Sequence, residues 1–199
     1  MPAKNPDLHG NAPDEAPTAL LLIDVINDLE FDGGDALLAP ALAMAAPLAA
    51  LKRRARAAGI PAVYVNDNFG RWRSDLSALL EHCRREGVRG RPLVERLMPE
   101  ADDYFVLKPK HSGFFSTTLD TLLAYLRART LILTGLTADN CVLFTASDAY
   151  LRDFDVIVPP DCVASIDPRH TRQALDHMHR VLKTELTDST ALSLSTRAA

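Results

Sequence analysis

The sequence predicts an α/β protein, a three-layer αβα sandwich on a doubly wound, mostly parallel sheet of about six strands. Two observations carry that expectation. Short, nearly continuous apolar runs recur along the chain as ALLLI, AVYVN, YFVL, LILT and DVIVP, and strands that read this way are buried on both faces. Segments with helical periodicity lie between them, and such alternation demands right-handed crossovers that place helices on both sides of the sheet.

Each element has its own signal. After ALLLI, an Ala/Leu-rich helix is expected from about Asp35 to Ala58, with Gly59 as its stop and with Pro40 and Pro47 starting or kinking it. After AVYVN, the stretch SDLSALLEHCRRE reads as a helix with Ser74 as candidate N-cap. TTLDTLLAYLRAR follows the third strand and CVLFTASDAYLRD the fourth. DPRHTRQALDHMHRVLK follows the fifth, with Asp167 as cap and Pro168 at the first helical position, and a weak last strand is expected near TELT. The basic CRREGVRGRP reads as a solvated loop.

Composition narrows the function. A chain of 199 residues fits one domain. Residues 1–18, rich in Pro, Asn and Asp, read as a flexible lead-in rather than a secretory signal, and 19–199 as the domain. A net charge of −4 with mixed signs gives no nucleic-acid footprint. The uninterrupted apolar runs fall short of a bilayer, so no membrane partner is expected. Three cysteines are a sparse, odd set that argues against a disulfide framework and for a cytoplasmic setting. The histidines show no metal-ligand spacing, since His177 and His179 point to different helix faces. Neither metal nor cofactor is expected, and the partner is a small-molecule substrate.

Ligands of doubly wound sheets sit outside the carboxyl ends of the strands. The residues there are Asp24, Asp67, Lys108, the turn from Gly135 to Cys141, and Asp161. Caps of this kind are common, but this set holds an acid, a lysine and a thiol, the parts of an activated-cysteine site. Asp24 directly follows aliphatic residues, where a carboxylate needs a partner or a task. Cys141 falls at a helix start, where amides and the helix dipole would lower a thiol pKa and could bind an oxyanion. The competing reading makes Cys141 a small buried filler and Asp24 a cap. Lys110 rivals Lys108, although its surroundings look more exposed. Cys83 and Cys162 read as structural.

The segments LLLIDVINDLEF, VLKPKHSGFFSTTLD and LILTGLTADNCVLFTASDAYLRDFDVIVPPDCVAS together resemble the isochorismatase-like cysteine hydrolase family, which includes nicotinamidases. The resemblance spans about Thr18 to Ala164. It implies an Asp–Lys–Cys triad at Asp24, Lys108 and Cys141, and it selects Lys108 over Lys110. It also implies a cis peptide between Leu136 and Thr137, an oxyanion hole from the Thr137 and Cys141 amides, and homo-oligomers such as dimers or tetramers.

Some residues depart from the family pattern. Ile26 and Leu29 stand where Gln and Phe are common, and Phe69 stands where nicotinamidases carry the His of a metal site. Asn68, Phe69 and Trp72, in the loop after the second strand, are candidates for the substrate pocket. Phe114 and Phe115 are expected in the core. The resulting expectation is a metal-independent cysteine hydrolase cleaving a small amide or related C–N acyl bond through a thioester on Cys141. The alternatives are vinyl ether hydrolysis with Asp24 as acid, or a non-enzymatic flavodoxin-like binding or redox-sensing domain.

Overall fold

The structure, a computed structural model, describes residues 15–70 and 75–194. Its strands are β1 (Thr18–Ile23), β2 (Ala62–Asp67), β3 (Tyr104–Lys108), β4 (Thr130–Leu136), β5 (Asp155–Ile157) and β6 (Val163–Ala164). Its helices are α1 (Gly34–Ala57), α2 (Leu76–Cys83), α3 (Arg91–Arg96), α4 (Leu119–Leu126), α5 (Leu143–Tyr150) and α6 (Pro168–Leu182). The strands run parallel in the order β3-β2-β1-β4-β5, with β6 also on β4. β1 begins at Thr18, one residue inside the expected lead-in, the rest of which (apart from 15–17) lies outside the described residues.

The apolar runs become strands because both faces are covered. Leu20 and Leu22 point into a cluster with α1, α2 and α3, while Leu21 and Ile23 point into one with α4, α5 and α6. Each fully buried aliphatic side chain contributes about 1.5–3 kcal/mol.

Both prolines sit inside α1, which neither starts nor breaks there. Leu37, Ala41, Met44, Ala45, Leu48, Leu51 and Ala55 form one buried stripe at helical spacing. Burying Leu37, Met44, Leu48 and Leu51 is worth about 6–12 kcal/mol, which matches or exceeds the roughly 6 kcal/mol that two interior prolines cost together.

Three other expectations change. Ser74 lies outside the described residues, and the Asp75 side chain caps α2 by accepting from the Ala78 N–H at 2.8 Å. The TELT stretch makes only an isolated bridge, Ile157 to Glu185, and the sixth strand is Val163–Ala164. One sheet edge is in fact interrupted: β5 pairs with the first half of β4, Pro159 and Pro160 turn the chain, and β6 pairs with Gly135 and Leu136. Proline has no N–H for the ladder, so the edge breaks there.

The basic stretch before Pro92 is fastened rather than loose. Arg89 donates its backbone N–H to Glu30 and a guanidinium N–H to the Leu29 carbonyl. Leu93 and Val94 then anchor α3 in the core. Asp167 and Pro168 begin α6 as expected, the Asp167 carboxylate accepting from the Arg169 N–H.

Candidate active site

The chain adds β2 and β3 on one side of β1, then crosses to add β4 on the other. The carboxyl ends of β1 and β4 are therefore the topological switch point, the place where doubly wound sheets bind ligands. Asp24 leaves β1 at that point with φ +51°, a left-handed conformation uncommon for a non-glycine residue. Its backbone N–H donates to Val65 O at 3.0 Å, and its Oδ1 accepts from the Asp67 N–H at 2.7 Å. The carboxylate is thereby turned toward the ends of β2 and β3.

Lys108 ends β3, two strands from Asp24, or roughly 10 Å at ordinary strand spacing. Only a long side chain can lie across the end of β2 and still reach. Its Nζ sits 2.9 Å from Asp24 Oδ2, 3.6 Å from Asp67 Oδ2 and 3.5 Å from Cys141 Sγ. Lys108 is wholly buried and Asp24 nearly so, which makes the pairing obligatory. Lys110 is exposed, as its surroundings suggested.

Cys141 arrives from β4. Gly135 has φ +106°, and a Cβ built there would lie 2.1 Å from the Ile23 carbonyl oxygen, so only glycine lets β4 come this close to β1. The Leu136–Thr137 peptide is cis. A π-helical turn, Ala138–Val142, then leads into α5, and the Thr137 carbonyl accepts the N–H groups of Asn140 and Val142, each at 3.1 Å. This wider turn carries Cys141, which is partly exposed. Cys83 and Cys162 are buried, and burial first pushes each thiol up to about 12.

The site's electrostatics differ from the helix-dipole expectation. The Cys141 thiol is raised rather than lowered, by burial first and then by the Asp24 carboxylate, with Lys108 opposing. Burial, helped by a negative neighbour, overrides the start of this helix. Burial also raises Asp24, although Lys108 and the thiol pull it down. For Lys108, burial lowers the ammonium, but Asp24, Cys141 and Asp67 outweigh it and the net shift is upward. The resting thiol keeps its proton beside a carboxylate that is a stronger base than a surface aspartate.

The loop after β2 is only partly as expected. Asn68 is buried, its backbone N–H donating to Lys108 O and its Oδ1 accepting the Gly70 N–H in a tight turn. Phe69, at φ +52°, is exposed in the turn after β2, and Trp72 lies outside the described residues. Phe114 is in the core, but Phe115 is 55% exposed, since adjacent residues in the turn after β3 cannot both face inward. Sequence reasoning named Asp67 only as a strand end. Its contact with Lys108 was readable from the shared position of the two residues at the ends of neighbouring strands.

The fold is that of a doubly wound α/β protein, with Asp24, Lys108 and Cys141 gathered at the topological switch point. The Isochorismatase domain profile matches residues 18–190, and the chain belongs to that family of hydrolases. It is 39% identical over 173 residues to the uncharacterised isochorismatase family protein YaaI of Bacillus subtilis, covering 87% of this chain and 94% of that one. It is 30% identical over 200 residues to the ureidoacrylate amidohydrolase RutB of Serratia proteamaculans, covering 87% and 79%. Among solved structures, N-carbamoylsarcosine amidase from Thermoplasma acidophilum superposes with a TM-score of 0.68 at 30% identity, covering 88% of this chain and 98% of that one. The family sets aside the non-enzymatic alternative.

Proposed function

We propose that the protein is a cysteine amidohydrolase that cleaves a small amide, with a carbamoyl or ureido C–N bond as the favoured target, through a thioester on Cys141. The observation that carries this reading is the buried ammonium of Lys108, which lies 2.9 Å from a carboxylate and 3.5 Å from a thiol. The names of two relatives, a ureidoacrylate amidohydrolase and an N-carbamoylsarcosine amidase, support the substrate class.

In the first half-reaction, Asp24 takes the Cys141 proton as the sulfur attacks the carbonyl carbon. Because the thiol is raised, proton transfer and S–C bond formation proceed together rather than from a stored thiolate. Lys108 holds the negative charge while it moves from oxygen to sulfur to substrate, and Asp67 keeps that ammonium paired while Asp24 is neutral. The Thr137 and Cys141 amides receive the tetrahedral oxyanion, each such donor contributing on the order of 10²-fold. Asp24 returns the proton to the leaving nitrogen as the C–N bond breaks. Water, deprotonated by Asp24, then hydrolyses the thioester and restores the thiol.

No metal enters this scheme, and Phe69 offers an apolar face where a histidine would offer a ligand. Phe69 and the turn held by Asn68 would form one wall for the substrate. A vinyl ether substrate would leave the lysine-flanked thiol without a task, so acyl transfer is favoured. A cytoplasmic setting is in keeping with three free cysteines, and a homo-oligomer is what the resemblance implies.

The test is a hydrolysis screen over small amides, carbamates, ureido compounds, nicotinamide and a vinyl ether, with acid-quenched reactions weighed by intact-protein mass spectrometry. An adduct of the acyl mass on Cys141 with a carbamoyl or ureido substrate supports the reading. Turnover confined to vinyl ethers, with no adduct, refutes it.

A further inference from the structure

The two halves of the catalytic pair are also joined behind the site. Thr145 lies on α5 one turn after Cys141 and is wholly buried. Its Oγ1 donates to the Cys141 carbonyl at 2.7 Å. A hydroxyl bonded back by four residues is ordinary in helices. What is not ordinary is that the same oxygen accepts the Gly113 N–H at 3.0 Å, from a loop 32 residues earlier in the chain. That loop leads directly from Lys108.

We propose that Thr145 is a positioning residue whose hydroxyl fixes the separation of Cys141 from Lys108, resting on the reading of Cys141 as nucleophile. One oxygen ties the backbone bearing the sulfur to the segment that follows the lysine, using its donor and an acceptor site. The segment has little room to slide. A Cβ at Gly113 would meet Val65 Cγ1 at 2.9 Å and Leu119 Cδ2 at 3.2 Å. One turn further along α5, Asp148 accepts from the Ser112 hydroxyl, and Ser112 Oγ in turn accepts the Phe114 N–H at 3.1 Å. Thr145 is the member of this set that reaches the nucleophile's own residue. Losing its hydroxyl would leave the Gly113 amide without this acceptor and cut the tie to the Cys141 backbone, and the Sγ–Nζ distance of 3.5 Å would no longer be held. Misplacement of reacting groups by about 1 Å can cost on the order of 10²-fold in rate.

The experiment compares wild type with Thr145→Val, which keeps the shape and deletes the hydroxyl, and with Thr145→Ser, which keeps the hydroxyl. Expected for Thr145→Val is a kcat about 10-fold or more lower with KM within about twofold, and alkylation of Cys141 by iodoacetamide displaced to higher pH as Lys108 loses its hold on the thiolate. Thr145→Ser restores both. If the valine variant does not fold, Thr145→Ala loses the same bonds without the extra methyl and carries the same readouts. Wild-type kcat and an unshifted alkylation profile in the folded hydroxyl-less variant overturn the proposal, as does a serine variant as impaired as valine. Cys141→Ala, assayed alongside, separates the two ideas. If it keeps full turnover, the nucleophile reading itself fails. If it is inactive while Thr145→Val runs at wild-type speed, only the positioning role fails.

Discussion

Lys108 and Asp67 sit opposite each other in register at the ends of β3 and β2, with the ammonium 3.6 Å from the Asp67 carboxylate. Lys108 therefore serves two acids, and Asp24 can become neutral without leaving a buried ammonium unpaired. Asp67→Asn should leave Asp24 as sole carboxylate partner and let Lys108 favour the thiolate more strongly. Cys141 alkylation should then reach its half-maximal rate at lower pH than in wild type. A shift to higher pH would show that Asp67 does not compete for the lysine.

The acid limb of activity follows from Asp24. The scheme needs its carboxylate ionised, and burial raises its pKa above the ordinary 3.8 while Lys108 only partly offsets this. Activity should thus fall as pH drops through that raised value, so the limb in kcat/KM lies above the range of a surface aspartate. Lys108 is also raised, from 10.5, so loss of its proton should not limit activity at neutral pH. A kcat/KM profile flat down to the ordinary aspartate range would exclude Asp24 as the base.

Lys108→Met separates catalysis from stability. It strands a nearly buried carboxylate, which typically costs about 3–5 kcal/mol. Adding Asp24→Asn removes the stranded charge and should recover much of that loss in denaturant unfolding, while activity stays abolished. Equal destabilisation in single and double variants would mean that the ion pair is not the source of the effect.

Gly135→Ala tests the close approach of β4 to β1. Its Cβ would press on the Ile23 carbonyl at 2.1 Å from a backbone with φ +106°. Loss of soluble folded protein, or a melting temperature lowered by about 8 °C or more, corresponding to at least roughly 2–4 kcal/mol in a chain of this size, is expected. Wild-type melting would show that the strands separate freely there.

Much of the fold was legible because both faces of the sheet are covered, so its strands read as apolar runs in the sequence. Asp24 stood out as a polar residue ending such a run, whereas the choice of Lys108 over Lys110 and the weight placed on Cys141 came from the family resemblance. What escaped depended on contacts between distant segments. Pro40 and Pro47 argued locally against a continuous α1, and burial along the stripe from Leu37 to Ala55 overrode them. The break at Pro159 was visible, but that Val163 would rejoin β4 depended on register. Helix position alone suggested a lowered Cys141 pKa, and burial first, with the adjacent Asp24 adding to it, reversed the direction. Thr145 gave only the signal of a hydroxyl one turn after a cysteine, and its second bond, to Gly113, could not be read from the chain.

The central claim is that the Cys141 sulfur makes the bond to substrate, and steady-state turnover of Cys141→Ala on the best substrate found measures it most directly. The account predicts a folded enzyme with kcat reduced by about 10⁴-fold or more. A folded Cys141→Ala protein that turns over at close to the wild-type rate would contradict it.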